Sequence, residues 1–308
     1  MKIGVIGTGA MGSIYAAVLG GAGHEVWAFD NRWDHIEAIR RGGLRLDGAS
    51  GDHRVHVQGT TDAAEAGTCE LAVIATKTFD TETALRDAAP MLGPETLLLP
   101  IQNGLGNGER VAALLGQDNL LVGIAAAFGS SVVGPGHVHP EALGAIHFAE
   151  FRGGITPRLR NVAGVWQDAG FRVELFEDPL RMVWGKLIGN VAFAAPCAVT
   201  DLTIGEVMDN PWAWSLALAC VRETAAVAAA KGIQLPYQDP EAWVTRLGSM
   251  IRGARPSLAL DLRAGRRCEI DSLHGAVARE GEVVGVPTPT CRVLSAIVKA
   301  LEHKGYAG

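Results

Sequence analysis

Residues 2–12 read Lys2-Ile3-Gly4-Val5-Ile6-Gly7-Thr8-Gly9-Ala10-Met11-Gly12. The apolar run before Gly7 predicts a strand, the stretch over 10–22 predicts a helix, and a second apolar run over 24–30 predicts the next strand. In such a βαβ unit, glycines spaced as Gly7, Gly9 and Gly12 allow a tight turn, a close approach of pyrophosphate to the backbone, and close packing of the helix on the strand. We therefore predict that residues 7–12 bind a dinucleotide cofactor.

Residues 30–32 bear on which dinucleotide binds. Asp30 ends the second predicted strand, where an acidic side chain accepts hydrogen bonds from the adenosine ribose and repels a 2′-phosphate, which favours NAD. Asn31 and Arg32 follow, and a guanidinium at this place can bind a 2′-phosphate, which favours NADP. These residues favour NADH and leave NADPH open.

The strand and helix alternation continues beyond this unit. Further apolar runs predict strands at 70–75, 96–101 and 120–125, separated by helices near 80–89 and 108–115. This order predicts a Rossmann-type, doubly wound parallel sheet. Lys77 follows the first of these strands and Asn103 follows the second. Because ligands bind at the carboxyl ends of such strands, we expect both side chains at the cofactor crevice.

The composition excludes several classes of protein. The chain has 308 residues, 48% of them hydrophobic and 19% charged, which is enough for about two domains. Its 27 basic and 33 acidic residues give a formal net charge of −6, so no basic field attracts a nucleic acid. Charged residues interrupt the apolar runs before they reach the roughly 20 residues of a membrane helix, and the first run is too short for a secretion signal. We expect a cytoplasmic protein that binds neither nucleic acid nor membrane.

Neither a disulfide nor a metal site is predicted. The five cysteines are an odd number without a Cys-x-x-Cys pair, so we expect reduced, mostly buried thiols. His137 and His139 share one face of a predicted strand, but the sequence places no third metal ligand near them. We interpret these two histidines as surface residues of the strand.

The pattern changes near residue 177. A last strand is predicted at 171–176, and Asp178-Pro179 then has the form of a helix start. Helices are predicted at 179–195, 211–231, 240–252, 268–282 and 289–303. We therefore predict a dinucleotide-binding domain over 1–177 and an all-helical domain over 178–308. The second domain is expected to bind the substrate and, through its long apolar helices, to form a homodimer.

Three polar residues of the helical half are candidates for chemistry. Lys186 and Asn190 lie one turn apart on one helix face, among apolar neighbours. An unpaired ammonium is unfavourable there, so Lys186 either extends to water or is held for proton transfer. Glu269 lies at the predicted start of a later helix, where the helix dipole stabilises a carboxylate. The residues alone leave these alternatives open.

Taken in order, these segments resemble one family, the ketopantoate reductases (2-dehydropantoate 2-reductases) of the 6-phosphogluconate dehydrogenase-like superfamily. The resemblance covers nearly the whole chain. Its elements are Gly7–Gly12, Thr76-Lys77, Gln102-Asn103-Gly104, Trp184 with Lys186 and Asn190, Ser257–Asp261, Glu269-Ile270-Asp271 with Gly275, and Gly285–Pro289. It implies the reduction of a small-molecule 2-oxo acid to a 2-hydroxy acid, with hydride from NADPH or NADH.

The resemblance also implies roles for individual side chains. Lys186 is implied as the general acid that protonates the keto oxygen, and a cation there would stabilise the developing alkoxide. Glu269 is implied to hold both the lysine and the substrate. Ser257 and Asn190 are implied to contact the substrate, Ser257 through the carboxylate. Asn103 is implied to lie between substrate and cofactor, and Glu269 to contact the cofactor as well.

Three positions depart from the family pattern. Ala194, Ile204 and Ala254 stand where the family has polar side chains that recognise the hydroxyl end of ketopantoate. A buried hydroxyl without a partner costs about 1 to 3 kcal/mol, so we expect a less polar 2-oxo acid as the substrate. The family usually carries an arginine for the NADP phosphate just after the second strand, and here Asp30-Asn31-Arg32 occupies that region.

Two alternative functions match part of the pattern. A β-hydroxyacid dehydrogenase of the same superfamily also uses a lysine and an asparagine four residues apart, although the segments at Ser257 and Glu269 favour 2-oxo acid reduction. A non-catalytic dinucleotide-sensing protein would need only the glycine-rich turn. The joint presence of Lys186, Asn190 and Glu269 argues against it.

Overall fold

The structure, a computed structural model, describes residues 1–305, which form 12 β-strands and 13 α-helices. The strands are β1 Lys2–Ile6, β2 Glu25–Phe29, β3 Leu44–Leu46, β4 His53–Val55, β5 Gln58–Thr60, β6 Leu71–Ile74, β7 Leu97–Pro100, β8 Leu121–Ala126, β9 Gly129–Gly134, β10 His137–Ala142, β11 Ala145–Glu150 and β12 Arg172–Phe176. The helices are α1 Ala10–Gly21, α2 Trp33–Gly42, α3 Ala63–Ala66, α4 Thr81–Asp87, α5 Asn107–Leu115, α6 Pro157–Asp168, α7 Pro179–Thr200, α8 Ile204–Asp209, α9 Pro211–Ala230, α10 Pro240–Met250, α11 Ser257–Arg263, α12 His274–Val284 and α13 Pro289–Gly305.

The described residues fall into two compact units. Unit 1 contains residues 1–102 and 107–179, and unit 2 contains Asn103–Gly106 together with the chain from Leu180 onward. Each unit has hydrophobic clusters of its own, built in unit 1 around side chains such as Phe148 and Trp166, and in unit 2 around side chains such as Val191 and Phe193. The excursion of residues 103–106 into unit 2 was not predicted from the sequence.

The central sheet of unit 1 has the strand order β5-β2-β1-β6-β7 and is parallel throughout. Its middle strand β1 is apolar and buried throughout from Ile3 to Ile6, and Gly4 leaves room there for the side chain of Met91. The order reverses at β1, where the chain moves from the β2 side to the β6 side. In parallel sheets a ligand crevice forms at such a reversal, beyond the carboxyl ends of the strands. With the helical part that follows, this confirms the predicted fold class.

Two smaller sheets complete unit 1, with orders β4-β3-β10-β9 and β12-β11-β8. We predicted that the run at 120–125 would extend the parallel sheet. Only its first residue does so, through one parallel bridge from Leu120 to Leu98 of β7, and for the rest of the run the prediction is wrong. β8 instead pairs antiparallel with all six residues of β11. An apolar run specifies that a strand is buried and leaves its partner unspecified, since pairing depends on residues distant in sequence.

Helix boundaries in unit 2 follow local capping chemistry. Asn210 and Asp239 accept hydrogen bonds from the first turns of α9 and α10, and each stands before a proline that fits the first helical position. Thr203 and Glu206 form a capping box at α8. Neither α8 nor α11 was predicted, because both are too short to show a clear apolar period.

Two predicted boundaries are wrong. The helix predicted to end at 195 continues as α7 to Thr200, through Pro196, because the buried side chains around this proline pack in the core and outweigh one lost backbone hydrogen bond. The helix predicted over 268–282 begins only at His274. Both the amide and the hydroxyl of Ser272 bond to the carbonyl of Glu269, at 3.1 and 3.0 Å, which closes a 3₁₀ turn in front of the α-helix.

Helices α7 and α9 are long and apolar enough to cross a membrane on length and composition alone. Each of them still contains two charged residues, Arg181 and Lys186 in α7 and Arg222 and Glu223 in α9, so no uninterrupted apolar run reaches about 20 residues. In α7, 72% of the most apolar stretch of 18 residues is buried, as in the core helix of a folded domain, and in α9 the buried share of the corresponding stretch is 39%. The exposed face of α9 carries Trp212, which is 82% exposed.

Candidate active site

The glycine-rich turn of unit 1 leaves open space where a phosphate would bind. Gly7 has φ +88°, and a Cβ there would lie 2.8 Å from the amide nitrogen of Thr76. A Cβ at Gly12 would lie 1.9 Å from the carbonyl oxygen of Gly7, so this residue sets the close approach of α1 to β1. A Cβ at Gly9 would meet no atom within 4 Å. The first amides of α1, from Ala10 and Met11 onward, thus begin beside an unfilled volume, as an anion site requires.

Asp30 and Arg32 form one cluster with this turn. Oδ2 of Asp30 accepts hydrogen bonds from the amide of Thr8 at 2.7 Å and from its hydroxyl at 3.2 Å. Oδ1 accepts from the amide and Nε of Arg32 at 3.0 and 3.1 Å. Nη2 of Arg32 also donates to the carbonyl of Thr8 at 2.7 Å. Asn31, between them, is exposed.

The charge of Asp30 is stabilised by this cluster. Burial of the carboxyl opposes ionisation, but the hydrogen bonds and charge of Arg32, with the amide of Thr8, outweigh it and hold the pKa of Asp30 below its usual value. Asp30 therefore presents a carboxylate at neutral pH. The guanidinium of Arg32 is engaged by that carboxylate and by a backbone carbonyl.

A buried amide ties the next strand ends of the central sheet together. Nε2 of Gln102, which follows β7, donates to the carbonyl and the hydroxyl of Thr76 at 3.0 Å each and to the hydroxyl of Thr81 at 2.7 Å. Lys77 comes directly after Thr76, is half-buried, and precedes a short 3₁₀ helix. Gln102 was part of the family pattern but was not predicted as a site residue. Its signal is a polar residue directly after a buried strand.

In unit 2, Asn103 holds the ammonium of Lys186. Nζ of Lys186 donates to Oδ1 of Asn103 at 2.6 Å. Burial lowers the pKa of this half-buried ammonium from its ordinary value to about 8, and the charge of Glu269 opposes that shift. Glu269 is itself only 7% exposed. The structure thus brings together three of the residues that the sequence analysis singled out.

Ser272 supports both ends of this group. Its carbonyl accepts a hydrogen bond from the amide of Leu105 at 2.9 Å, and its own amide bonds to Glu269. Gly104 has φ +86°, and a Cβ there would lie 2.3 Å from the carbonyl oxygen of Ser272. The backbone of Ser272 therefore contacts both the segment that carries Asn103 and the backbone of Glu269. Sequence reasoning missed Ser272, whose backbone carbonyl contacts Leu105 and whose amide and hydroxyl both donate to the carbonyl of Glu269.

The remaining predicted substrate residues, Asn190 and Ser257, also belong to unit 2. Asn190 is half-buried on α7, one turn after Lys186, as predicted. Ser257 is exposed as the first residue of α11, and among residues 1–305 no hydrogen bond joins it to the lysine group. Of the predicted cofactor residues, Asn103 and Glu269 belong to unit 2, and the others belong to unit 1.

The three positions that depart from the family pattern all lie in unit 2. Ala194 and Ile204 are buried in hydrophobic clusters. Ala254 is exposed, and its carbonyl accepts a hydrogen bond from the amide of Ile204 at 3.1 Å. None of the three side chains carries a hydrogen-bonding group.

The histidine pair and the cysteines lie outside these groups. His137 and His139 contact the two carboxylate oxygens of Asp47 at 2.8 and 2.6 Å. Within residues 1–305, no cluster of three or more His, Cys, Asp or Glu side chains has the arrangement of a metal site. All five cysteines are buried free thiols.

Comparison with known proteins shows which family the chain resembles. The model of "Ketopantoate reductase PanE/ApbA" matches residues 3–153, and that of "Ketopantoate reductase PanE/ApbA C terminal" matches residues 178–302. The 2-dehydropantoate 2-reductase of Halobacterium salinarum is 28% identical over 309 residues, with 99% of this chain and 100% of that protein covered.

Solved structures share the fold over the full length. The PanE/ApbA family ketopantoate reductase from Ralstonia eutropha JMP134 has a TM-score of 0.92 and 32% identity, covering 99% of this chain and 100% of that one. A D-mandelate dehydrogenase solved with NADH and anilino(oxo)acetate has a TM-score of 0.93 and 24% identity, covering 99% of both chains, a likeness of fold alone. Since the two family models match most of the chain and the Ralstonia relative covers nearly all of it, the chain belongs to the ketopantoate reductase family.

Proposed function

We propose that the protein reduces a 2-oxo acid to a 2-hydroxy acid with a reduced nicotinamide cofactor. The observation that carries this proposal is the ammonium of Lys186, held 2.6 Å from Oδ1 of Asn103 with a pKa of about 8. A bound reduced nicotinamide would supply hydride to the keto carbon, and Lys186 would give its proton to the carbonyl oxygen. The products are the 2-hydroxy acid, the oxidised cofactor and a neutral lysine, which takes up a proton from solvent.

The surroundings of Lys186 suit a general acid. A pKa near 8 keeps the amine mainly protonated at neutral pH and leaves the proton easily transferred. The hydrogen bond to Asn103 directs the ammonium, and the carboxylate of Glu269 favours its charged form. A directed cation also stabilises the alkoxide that develops on the substrate. We assign Glu269 as the partner of the acid.

The other site residues are assigned by unit. We propose that Asn190, Ser257 and Asn103 bind the substrate. The cofactor is proposed to bind to the glycine-rich turn over 7–12, to residues 30–32 and to Lys77, with Asn103 and Glu269 at its reactive end. On this assignment residues 1–177 serve as the dinucleotide domain and 178–308 as the substrate domain.

We propose NADH as the preferred cofactor. Asp30 is ionised and only 10% exposed, and it accepts hydrogen bonds through both oxygens. A 2′-phosphate beside it would meet a fixed negative charge. The positive charge of Arg32 is already directed to Asp30 and Thr8. A ribose hydroxyl needs only an acceptor, which Asp30 supplies, whereas a phosphate would have to draw Arg32 away.

We propose a substrate less polar than ketopantoate. Ala194, Ile204 and Ala254 offer no side-chain partner to a substrate hydroxyl. A site without such partners leaves a buried hydroxyl unsatisfied, at about 1 to 3 kcal/mol, while an apolar group at the same place loses nothing. Bulkier apolar 2-oxo acids are therefore expected to give the higher kcat/KM.

An absorbance assay at the reduced-nicotinamide band tests this function. NADH and NADPH are each supplied with ketopantoate and with apolar 2-oxo acids, using the wild type, Lys186→Met, and Lys231→Met as a matched control at a lysine that pairs with Glu280. We expect turnover with NADH and apolar 2-oxo acids, a loss of kcat of about 10³-fold in Lys186→Met, and little change in Lys231→Met.

Other outcomes identify which part fails. Near-normal turnover by Lys186→Met contradicts the assigned acid. Rapid NADPH-specific reduction of ketopantoate contradicts the cofactor and substrate assignments together and leaves the reaction class intact. Oxidation of 3-hydroxy acids in preference to 2-hydroxy acids indicates a β-hydroxyacid dehydrogenase, and cofactor binding without any turnover indicates a sensing protein.

We also propose that the protein is a cytoplasmic homodimer. Trp212 on α9 and Val293 on α13 are among the large apolar side chains that unit 2 exposes, and apolar surface of this kind favours burial against a second copy. Light scattering of the purified protein measures its mass, and a monomer at micromolar concentration contradicts the assembly.

A further inference from the structure

One face of α7 next to Lys186 is bare of side chains. Gly185 and Gly189 stand four residues apart, each directly before one of the polar residues Lys186 and Asn190. A Cβ at Gly185 would lie 2.7 Å from Cγ of Pro236, and the chain over 236–247 packs directly against this face. The backbone of α7, the helix that carries the proposed acid, is thus packed directly against side chains of the segment over 236–247.

Tyr237 bonds to the peptide that leads into Lys186. Its hydroxyl donates to the carbonyl oxygen of Gly185. The tyrosine ring stacks on Trp243, with centroids 4.3 Å apart and planes 16° apart, and a Cβ at Gly189 would lie 3.2 Å from the edge of that tryptophan. Burial raises the pKa of the Tyr237 hydroxyl well above its usual value, so the hydroxyl remains a donor throughout the working pH range.

We propose that Tyr237 is a positioning residue for the proton donor Lys186, acting through the carbonyl of Gly185. The inference rests on the function proposed above. The carbonyl of Gly185 and the amide of Lys186 belong to one planar peptide group, so a donor that fixes this carbonyl fixes the direction in which the Lys186 side chain leaves the helix. The stack on Trp243 in turn fixes the tyrosine.

The hydrogen bond between Lys186 and Asn103 depends on the orientation of α7, which the contact with Tyr237 fixes. Nζ of Lys186 reaches Asn103 at 2.6 Å, and a small rotation of α7 moves the end of so long a side chain by more than its backbone. Misplacement of a reacting group by about 1 Å lowers rates by about 100-fold. An ammonium that leaves Asn103 for water also regains hydration, which returns its pKa toward the ordinary lysine value.

The test compares Tyr237→Phe with Tyr15→Phe. Both substitutions remove one tyrosine hydroxyl, half-buried in Tyr237 and fully buried in Tyr15, but that of Tyr15 has no hydrogen-bond partner within residues 1–305 and lies in unit 1. Three quantities are measured on each folded protein: kcat, KM for the 2-oxo acid, and the pKa of the Lys186 amine. The last is obtained from competitive labelling with trace acetic anhydride across pH, read by mass spectrometry of the peptide that contains Lys186.

We expect Tyr237→Phe to lower kcat about 10-fold, to change KM less than about 2-fold, and to raise the labelling pKa of Lys186 above about 8. Tyr15→Phe should leave all three unchanged. A folded Tyr237→Phe protein with wild-type kcat and wild-type labelling pKa overturns the proposal. So does a fall in kcat without any change in that pKa, because the effect would then not pass through the position of Lys186.

A second variant covers a failure of Tyr237→Phe to fold. Trp243→Leu keeps the hydroxyl of Tyr237 but removes the ring stacked on it, and the same three quantities are expected to change in the same directions. Wild-type values in this variant overturn the proposal. The labelling readout needs no turnover, so it reports on Tyr237 even if the activity of Lys186→Met shows that Lys186 is not the acid.

Discussion

Lys186 carries an ammonium between Gly185 and the buried apolar side chains of Leu187 and Ile188. A lysine that only extended to water would keep its ordinary pKa, because hydration of the charge would be undisturbed. Here burial lowers the pKa to about 8, and Asn103 accepts a hydrogen bond from the ammonium in place of water. This combination of desolvation with a directed partner is typical of a residue that exchanges a proton during its function.

The pH dependence of turnover follows from the direction of that shift. The acid form of Lys186 is present below about pH 8 and is lost above it. Reduction needs the acid form, so kcat for reduction should be constant at lower pH and fall about 10-fold per pH unit above about 8. Oxidation of the 2-hydroxy acid needs the neutral amine and should rise through the same pH. Initial rates in both directions across pH 6 to 10 measure this, and parallel profiles in the two directions would contradict the assignment.

Residue identities were the part of the site most accessible to sequence analysis. Lys186 and Asn190 share a helix face through spacing alone, Asn103 stands at the end of a predicted strand, and Glu269 stands at the start of a predicted helix. The resemblance to a family added the roles of these residues. Distances and pKa values were not accessible, because the shift at Lys186 arises from burial by residues that are distant in sequence. Tyr237 gave no signal, since one tyrosine between predicted helices has no distinguishing pattern.

At the scale of elements, the turn between β1 and α1 was predicted from the sequence because it is local. Its geometry depends on residues within one short stretch, and Gly7 shows the required positive φ. The start of α12 was not predictable in this way. The 3₁₀ turn in front of it depends on hydrogen bonds from Ser272 to Glu269, and that turn competes with an α-helical start over the same residues.

The segment over 103–106 allows a sharp test at this scale. Gly104 has φ +86° and lies against the carbonyl of Ser272, whereas Gly106 has φ +85° and a Cβ there would meet no atom within 4 Å. Alanine at either position introduces strain of about 1 to 3 kcal/mol. Alanine at Gly104 must in addition push the segment, and with it Asn103, away from Ser272.

We therefore expect Gly104→Ala to lower kcat by about 100-fold and Gly106→Ala to lower it far less, although both lower the thermal stability. Steady-state kinetics and thermal unfolding of the two purified variants measure the difference. Equal losses of kcat in the two variants would show that the support from Ser272 does not position Asn103.

On the scale of the whole molecule, two units of different character share one chain. The sequence predicted a boundary at 177 from the change between strand and helix patterns, and the units meet in the chain at Pro179 and Leu180. It did not predict that residues 103–106 belong to the second unit. Short turns of polar and glycine residues carry no apolar pattern, so their packing partner is decided only by tertiary contacts such as that of Leu105 with Ser272.

The division into units has a measurable thermodynamic consequence. Units with separate hydrophobic clusters can unfold in separate calorimetric transitions. The glycine-rich turn and residues 30–32 all belong to unit 1. A ligand present at about 100 times its Kd stabilises the unit that binds it by about 2.7 kcal/mol, so NADH should shift the transition of unit 1 upward, because most of the proposed cofactor residues belong to that unit.

Glycine substitutions in the turn separate binding from folding in this experiment. A methyl group at Gly9 meets no atom within 4 Å, at a φ of −63° that alanine accepts, so Gly9→Ala should unfold at nearly the wild-type temperature. The methyl group nevertheless fills the space through which a pyrophosphate would reach the backbone, so the shift with NADH should disappear. Gly12→Ala, by contrast, clashes with the carbonyl of Gly7 and should lower the transition even without cofactor. Scanning calorimetry of the three proteins with and without NADH decides the matter, because a full NADH shift in Gly9→Ala would place the cofactor elsewhere.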